Sequence, residues 1–240
     1  MSLEGKAVLI TGGARRVGRA LVLAAAQAGA DIFLHYRRSE TEAEALRDEL
    51  AGLGRRAFLL KADLSNPQAC MDLIGRARRQ ADLFALVNNA AVFEDTNWET
   101  TDLAAWNLSM QVNLTAPFLL SQAFAHSLDR QADGRIINLL DWRALRPGSD
   151  HLAYTISKAG LAALTTSLAV ALAPRITVNG LALGAVLPPE AGAPAGLLDK
   201  IPAGRWASLD EVGQALVFLL DGPTYITGEI LHVDGGRHLV

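Results

Sequence analysis

The chain has 240 residues, half of them hydrophobic, with 22 basic and 25 acidic side chains and a formal net charge of −3. That is enough apolar material for a sizeable core, and the near-balanced charge without a basic stripe argues against nucleic-acid binding. Cys70 is the sole cysteine, so it cannot close an intrachain disulfide and fits a reducing compartment.

The opening residues Met1 to Lys6 lack the parts of a signal peptide. No run of about 18 uninterrupted apolar residues occurs. The expectation is a cytoplasmic protein without a membrane partner. The histidines have no metal-ligand spacing, so no metal is expected.

In chain order, Lys6 to Thr11 reads as a first strand running into Gly12-Gly13, followed by a helix from Arg16 to Gly29. Ile32 to Tyr36 is a second strand, Glu40 to Leu53 an amphipathic helix and Ala57 to Lys61 a third strand. Asp63 to Pro67 carries the caps of the next helix. Leu83 to Val87 is a fourth strand, and two helices fill Asp102 to Arg130. A fifth strand covers Arg135 to Leu140, a helix lies between His151 and Pro174, and Ile176 to Asn179 is a sixth strand. Leu209 to Leu220 is a helix and Ile230 to Val233 the last strand. Continuous apolar strands alternating with helices predict a single α/β domain over residues 1–240. It is doubly wound and Rossmann-like, with about seven parallel strands and helices on both faces. The Pro-, Gly- and Ala-rich stretch from Leu183 to Pro202 reads as a functional loop, a lid over a pocket.

The turn Thr11 to Gly18 joins the first strand to the first helix. Glycines there admit a pyrophosphate, and the helix N-terminus favours its charge. Arg16 stands where a middle glycine is common, so a positive charge faces the phosphate. After the second strand the chain reads His35-Tyr36-Arg37-Arg38-Ser39, without an acid. Two guanidiniums and a hydroxyl suit the 2′-phosphate of NADP, whereas an acid would select NAD. Tyr154 and Lys158 lie one helical turn apart on one face. An ammonium beside a phenol lowers its pKa, which predicts a tyrosine able to exchange a proton near neutral pH.

Gly12 to Gly18, Asp63, Asn88-Asn89-Ala90, Asn113, Tyr154-x-x-x-Lys158, Asn179-Gly180 and Asp234-Gly235-Gly236 resemble, jointly and in order, the short-chain dehydrogenase/reductase family over the whole chain. The resemblance implies that Tyr154 is the general acid/base and that Lys158 holds the nicotinamide ribose and lowers the tyrosine pKa. Asn113 would hold a relay water. Asp63 would contact adenine, and Asn89 and Ala90 would line the ribose. Val17, Leu64, Ala91 and Gly184 complete the implied cofactor contacts.

A narrower resemblance is to the pteridine and dihydromonapterin reductases. It rests on Thr-Gly-x-x-x-Arg-x-Gly with Arg16, His-Tyr-x-Arg-Ser at 35 to 39, and Tyr225-Ile226-Thr227-Gly228. Above all it rests on Asp141, thirteen residues before Tyr154, where the wider family has serine. A ketone reductase needs a hydroxyl there to hold a carbonyl oxygen. A pterin C=N bond needs a proton delivered to ring nitrogen, and a carboxyl can accept from an amine-rich ring or donate to it. Phe93 matches a ring-stacking phenylalanine, while Ala91 departs from the serine that usually bonds the pterin. Leu187 and Trp206 are expected to shape the pocket mouth with the 183–206 segment. Trp142 either closes the pocket or packs beside it.

The expectation is an NADPH-dependent reductase of dihydropterin or dihydrofolate, with catalytic residues Asp141, Tyr154, Lys158 and Asn113. The substrate contacts would be Arg16, Phe93, Asp141, Tyr154, Leu187 and Trp206. Alternatives are a carbonyl or alcohol oxidoreductase of the same family and a non-catalytic NADP(H) sensor. The nearly all-apolar Gly160 to Ala173 segment must be buried on most sides, and the resemblance implies a homotetramer.

Overall fold

A computed structural model describes residues 3–188 and 196–240; positions 189–195 of the predicted lid lie outside the described residues. The strands are β1 Ala7–Ile10, β2 Asp31–Tyr36, β3 Ala57–Lys61, β4 Ala85–Asn88, β5 Gly134–Asp141, β6 Ile176–Leu183 and β7 Ile230–Val233. The helices are α1 Arg16–Gln27, α2 Glu40–Gly52, α3 Pro67–Arg78, α4 Leu103–Met110, α5 Ala116–Ser127, α6 Leu152–Leu172 and α7 Leu209–Asp221. All seven strands pair in parallel, in the order β3-β2-β1-β4-β5-β6-β7. The doubly wound, Rossmann-like expectation holds.

Side chains alternate across the sheet, as a period of two demands. Val8 and Ile10 of β1 join Leu21, Val22, Leu46, Val212 and Leu216 in a core under α1, α2 and α7. Ala7 and Leu9 face the other way, into a core with Cys70 and Leu73 of α3, and Leu120 and Phe124 of α5. Near α6 a third cluster adds Leu140, Leu161 and Ala182. A buried polar chain crosses the second layer. Asn88 Nδ2 donates to Asn138 Oδ1 at 2.8 Å, and Asn138 Nδ2 donates to Thr165 Oγ1 at 2.9 Å, tying β4, β5 and α6 together.

Strand order reverses between β1 and β4. In a sheet of this kind, ligands bind beyond the strands' carboxyl ends at that switch point. The glycine turn after β1 and the Asn89-Ala90 segment after β4 both emerge there.

Two elements differ from the sequence reading. β6 runs four residues further, to Leu183, and pairs with β5 along its whole length. The expected strand stops at Asn179, before Gly180, but a Cβ on Gly180 would approach Leu140 Cδ1 to 2.6 Å. The glycine serves close packing inside a strand. The two helices expected between 102 and 130 are α4 and α5, joined without a break by a π-helical turn over Gln111–Thr115.

Candidate active site

A cleft of about 970 Å³ opens at the switch point. Its walls include every residue assigned from sequence to cofactor or substrate, from the Gly12–Gly18 turn to Leu187 and Trp206. Asn113 stands behind the wall.

At the glycine turn, a Cβ on Gly18 would lie 2.1 Å from the Gly12 carbonyl oxygen, and one on Gly12 would lie 3.0 Å from Ala90 Cα. Only glycine permits this approach of β1, α1 and β4. Gly12 itself has φ +62°, and Arg16 adopts φ +53°, a left-handed conformation rare for a residue with a side chain. Such strain is typical of functional turns. Thr11 Oγ1 accepts from the Asn89 and Ala90 amides at 2.9 and 3.0 Å, and Asn89 Nδ2 donates to the Thr11 carbonyl at 2.8 Å. The turn is therefore rigid from both sides.

His35 lies beneath it. Its Nδ1 accepts from the Gly12 amide at 3.0 Å, and its Nε2 contacts the Ala62 carbonyl at 3.2 Å. Nδ1 must accept and Nε2 must donate, which fixes the neutral Nε2–H tautomer. Burial drives the pKa down to about 4. His35 reaches the cleft as a brace for the backbone, not as a cation for phosphate.

The 2′-phosphate reading divides along the Tyr36 to Ser39 segment. Arg37 Nε is already paired with Asp63 Oδ2 at 2.9 Å, and Asp63 also accepts from the Ser65 amide and hydroxyl. Arg38 has no ion pair among the described residues, and Ser39 precedes α2 without a side-chain cap bond. Arg38 and Ser39 are the free donors. The acid next in sequence, Glu40, is held away by Lys61 Nζ at 2.8 Å and the Tyr36 hydroxyl at 3.1 Å. The glycine cradle and these uncommitted donors fit a dinucleotide with a 2′-phosphate.

At the other end, β5 delivers Asp141 and α6 delivers Tyr154 and Lys158. Tyr154 Oη donates to Asp141 Oδ2 at 3.2 Å, while Asp141 Oδ1 accepts from the Arg143 amide at 2.9 Å. One carboxyl thus caps the short turn Trp142–Ala144 and holds the phenol.

The expectation of a lowered tyrosine pKa is overturned. Lys158 Nζ donates to the Leu139 carbonyl at 2.6 Å and makes no hydrogen bond to the phenol oxygen among the described residues. Burial, then the Asp141 charge and hydrogen bond, raise the Tyr154 pKa well above its ordinary value. Burial also lowers Lys158 to about 8. The phenol keeps its proton at neutral pH.

Asn113 sits in the π-helical turn, fully buried. Its Oδ1 accepts from the Val92 amide at 2.8 Å, and its Nδ2 donates to the Val92 carbonyl and Ser157 Oγ, both at 3.0 Å. It clamps the segment after β4 to α6 with its whole side chain. Such turns recur at functional sites. Phe93, two residues on from Ala91, stacks one face on His151 at 4.0 Å and meets Tyr154 edge-on at 4.6 Å. It remains 55% exposed, so aromatic surface is left to the cleft.

Sequence reasoning missed Arg143, Asp150, His151 and Arg237, which line the same wall. Arg143 Nη2 pairs with Asp150 at 2.7 Å. His151 holds φ +50° at the start of α6 and contacts the Glu94 carbonyl at 2.9 Å. The left-handed backbone at His151 has no sequence signal. The Gly235-Gly236 pair before Arg237 was a signal, since it marks a turn that brings the chain end back.

Compared with known proteins, residues 12–238 match the family model described as enoyl-(acyl carrier protein) reductase. The chain is 34% identical, over the full length of both chains, to the 3-oxoacyl-[acyl-carrier-protein] reductase FabG of Escherichia coli K12. It is 31% identical to an L-rhamnose 1-dehydrogenase of Sphingomonas sp. SKA58, covering 99% of this chain and 98% of that one. Among solved structures it superposes on the FolM alternative dihydrofolate reductase 1 of Brucella canis, complexed with NADP. The TM-score is 0.92 at 34% identity, covering 100% of this chain and 97% of the other. Carried over the whole chain, these likenesses and the Tyr154–Lys158 pair beside a dinucleotide cradle place the protein in the short-chain dehydrogenase/reductase family of oxidoreductases.

Proposed function

We propose that the protein is an NADPH-dependent reductase of dihydropterins or dihydrofolate. The observation that carries this reading is the Tyr154 hydroxyl donating to Asp141 Oδ2 at 3.2 Å inside the cleft. Overall identity does not choose a substrate, because it is 34% to both the FabG and the FolM relatives. Position 141 supports the pterin reading, on chemical grounds. A carboxyl facing the substrate repels a carbonyl oxygen but accepts from the amino and N–H groups of a pterin.

The Gly12–Gly18 turn and the start of α1 would hold the pyrophosphate, and Arg38 and Ser39 the 2′-phosphate. The nicotinamide, when bound, supplies the hydride. Asp141 orients the heterocycle, and the exposed part of Phe93 offers it a stacking surface. Tyr154, which keeps its proton at neutral pH, delivers it to ring nitrogen. Lys158 holds its ammonium on the Leu139 carbonyl under the same site.

The second reading is a carbonyl reductase, favoured by the full-length match to FabG. NADPH consumption with dihydrobiopterin, dihydromonapterin and dihydrofolate, beside a panel of ketones and 3-oxoacyl thioesters, separates the two. The expected result is turnover of at least one dihydropterin or dihydrofolate. The Asp141→Ser variant should lose that activity by roughly 10²-fold, the scale of a general acid/base contribution. Turnover of the ketone panel alone overturns the reading.

A further inference from the structure

Two guanidiniums lie over the Trp142 ring. Arg237 Cζ lies 4.1 Å from the indole centroid and Arg143 Cζ lies 5.0 Å from it. All three residues line the cleft beside Asp141.

The two arginines are not equivalent. Arg143 is committed, through Nη2 to Asp150 at 2.7 Å and through Nη1 leaning on Asp141 at 3.8 Å. The Arg237 guanidinium has no hydrogen bond or ion pair among the described residues. It is nonetheless tightly placed. Asp234 accepts from the Gly236 and His238 amides, both at 2.9 Å, and the left-handed Gly235 and Gly236 turn the tail back onto Trp142.

Stacking uses the flat face of a guanidinium and leaves its in-plane N–H donors open. Those donors form the fork that takes a carboxylate in two parallel hydrogen bonds. Two like charges also crowd one indole. Burial first and the Arg143 charge second press the Arg237 pKa below its ordinary value, a cost that an anion between them would relieve.

We infer that Arg237, held over Trp142 beside Arg143, is a carboxylate-binding subsite that selects substrates with an anionic tail. Resting on the pterin reading above, this names dihydrofolate, with its glutamate carboxylates, over dihydropterins with neutral side chains.

The test compares kcat/KM for dihydrofolate and dihydromonapterin, with NADPH, in the wild type, Arg237→Met and Arg237→Lys. The ratio of the two should fall roughly ten- to a hundredfold in Arg237→Met, the scale of one hydrogen-bonded charge. The fall should appear mainly in KM for dihydrofolate, and Arg237→Lys should recover part of it. An unchanged ratio, including an equal loss for both substrates, overturns the inference. Should the wild type reduce neither compound, the pterin reading falls, and calorimetry still decides the subsite. The fragment p-aminobenzoyl-glutamate should bind the NADPH-loaded wild type and bind Arg237→Met at least tenfold more weakly. Equal binding by the two proteins, or none by the wild type, overturns it.

Discussion

A histidine buried between an amide above and a carbonyl below has no room for a second proton. His35 is in that position, neutral, with its pKa pushed down to about 4. The unfolded chain takes up the proton near 6.5. Between about pH 6.5 and 4 the unfolded state therefore binds more protons, and stability falls as the pH falls through that window. From pH 7 to pH 5 the loss from this one residue is about 2 kcal/mol. In urea unfolding the wild type should lose at least that much across the interval. A His35→Gln variant, less stable at pH 7, should lose about 2 kcal/mol less than the wild type across it. Equal pH dependence in the two proteins would show that His35 does not titrate on unfolding. Tyr154 shows what sequence leaves out at this scale. The pairing with Lys158 was legible from spacing, but the direction of the pKa shift was not. It depends on Lys158 turning to the Leu139 carbonyl and on Asp141 turning toward the phenol.

Elements were legible where hydrophobic period and glycine placement agree, as in β1, the turn after it and α1. They were misread where glycine serves packing, as Gly180 does inside β6, or where an insertion has no composition signal, as in the π-helical turn at Asn113. The lining of the cleft by Arg143, Asp150 and His151, beside Arg237, was illegible for a related reason. Those side chains meet only after the β5–α6 connection and the chain end fold over the same strand ends. The Gly12–Gly18 turn supports a direct prediction. Gly18→Ala places a methyl group 2.1 Å from a backbone oxygen that cannot rotate away. The turn must open, at a cost of roughly 1–3 kcal/mol in stability, and NADPH affinity should fall at least tenfold, about 1.4 kcal/mol or more. Gly52→Ala, at a helix end with nothing within 4 Å of the new methyl, is the matched control and should bind NADPH as the wild type does. Calorimetric NADPH titration of the three proteins checks this, and unaltered affinity in Gly18→Ala would mean that the turn does not cradle the cofactor.

On the scale of the whole molecule, charge is distributed unevenly. α5 and α6 together contain a single Lys and no Asp, Glu or Arg, and that Lys is the buried Lys158. Yet their outer faces leave Phe118, Ile156 and Val170 in water, Val170 at 84% exposure. A second feature lies at one sheet edge. β7 pairs only with β6 among the described residues, and its sequence Ile-Leu-His-Val carries no Lys, Glu or Pro to discourage further contact. The opposite edge strand, β3, ends in Lys61 and is flanked by Arg55 and Arg56. We propose that each uncharged surface meets the same surface of a second copy. An isologous contact generates a two-fold axis, and two such contacts whose axes cross at right angles generate a closed tetramer. Sedimentation velocity of the wild type should therefore give a species of four chains. Val170→Glu places two like charges near the axis of the helix-pair contact. It should shift the protein to dimers held at the β7 edge, with NADPH binding retained because the cleft opens at the strand ends. A monomeric wild type, or a Val170→Glu tetramer of unchanged stability on dilution, would show that the exposed helix pair is not an interface.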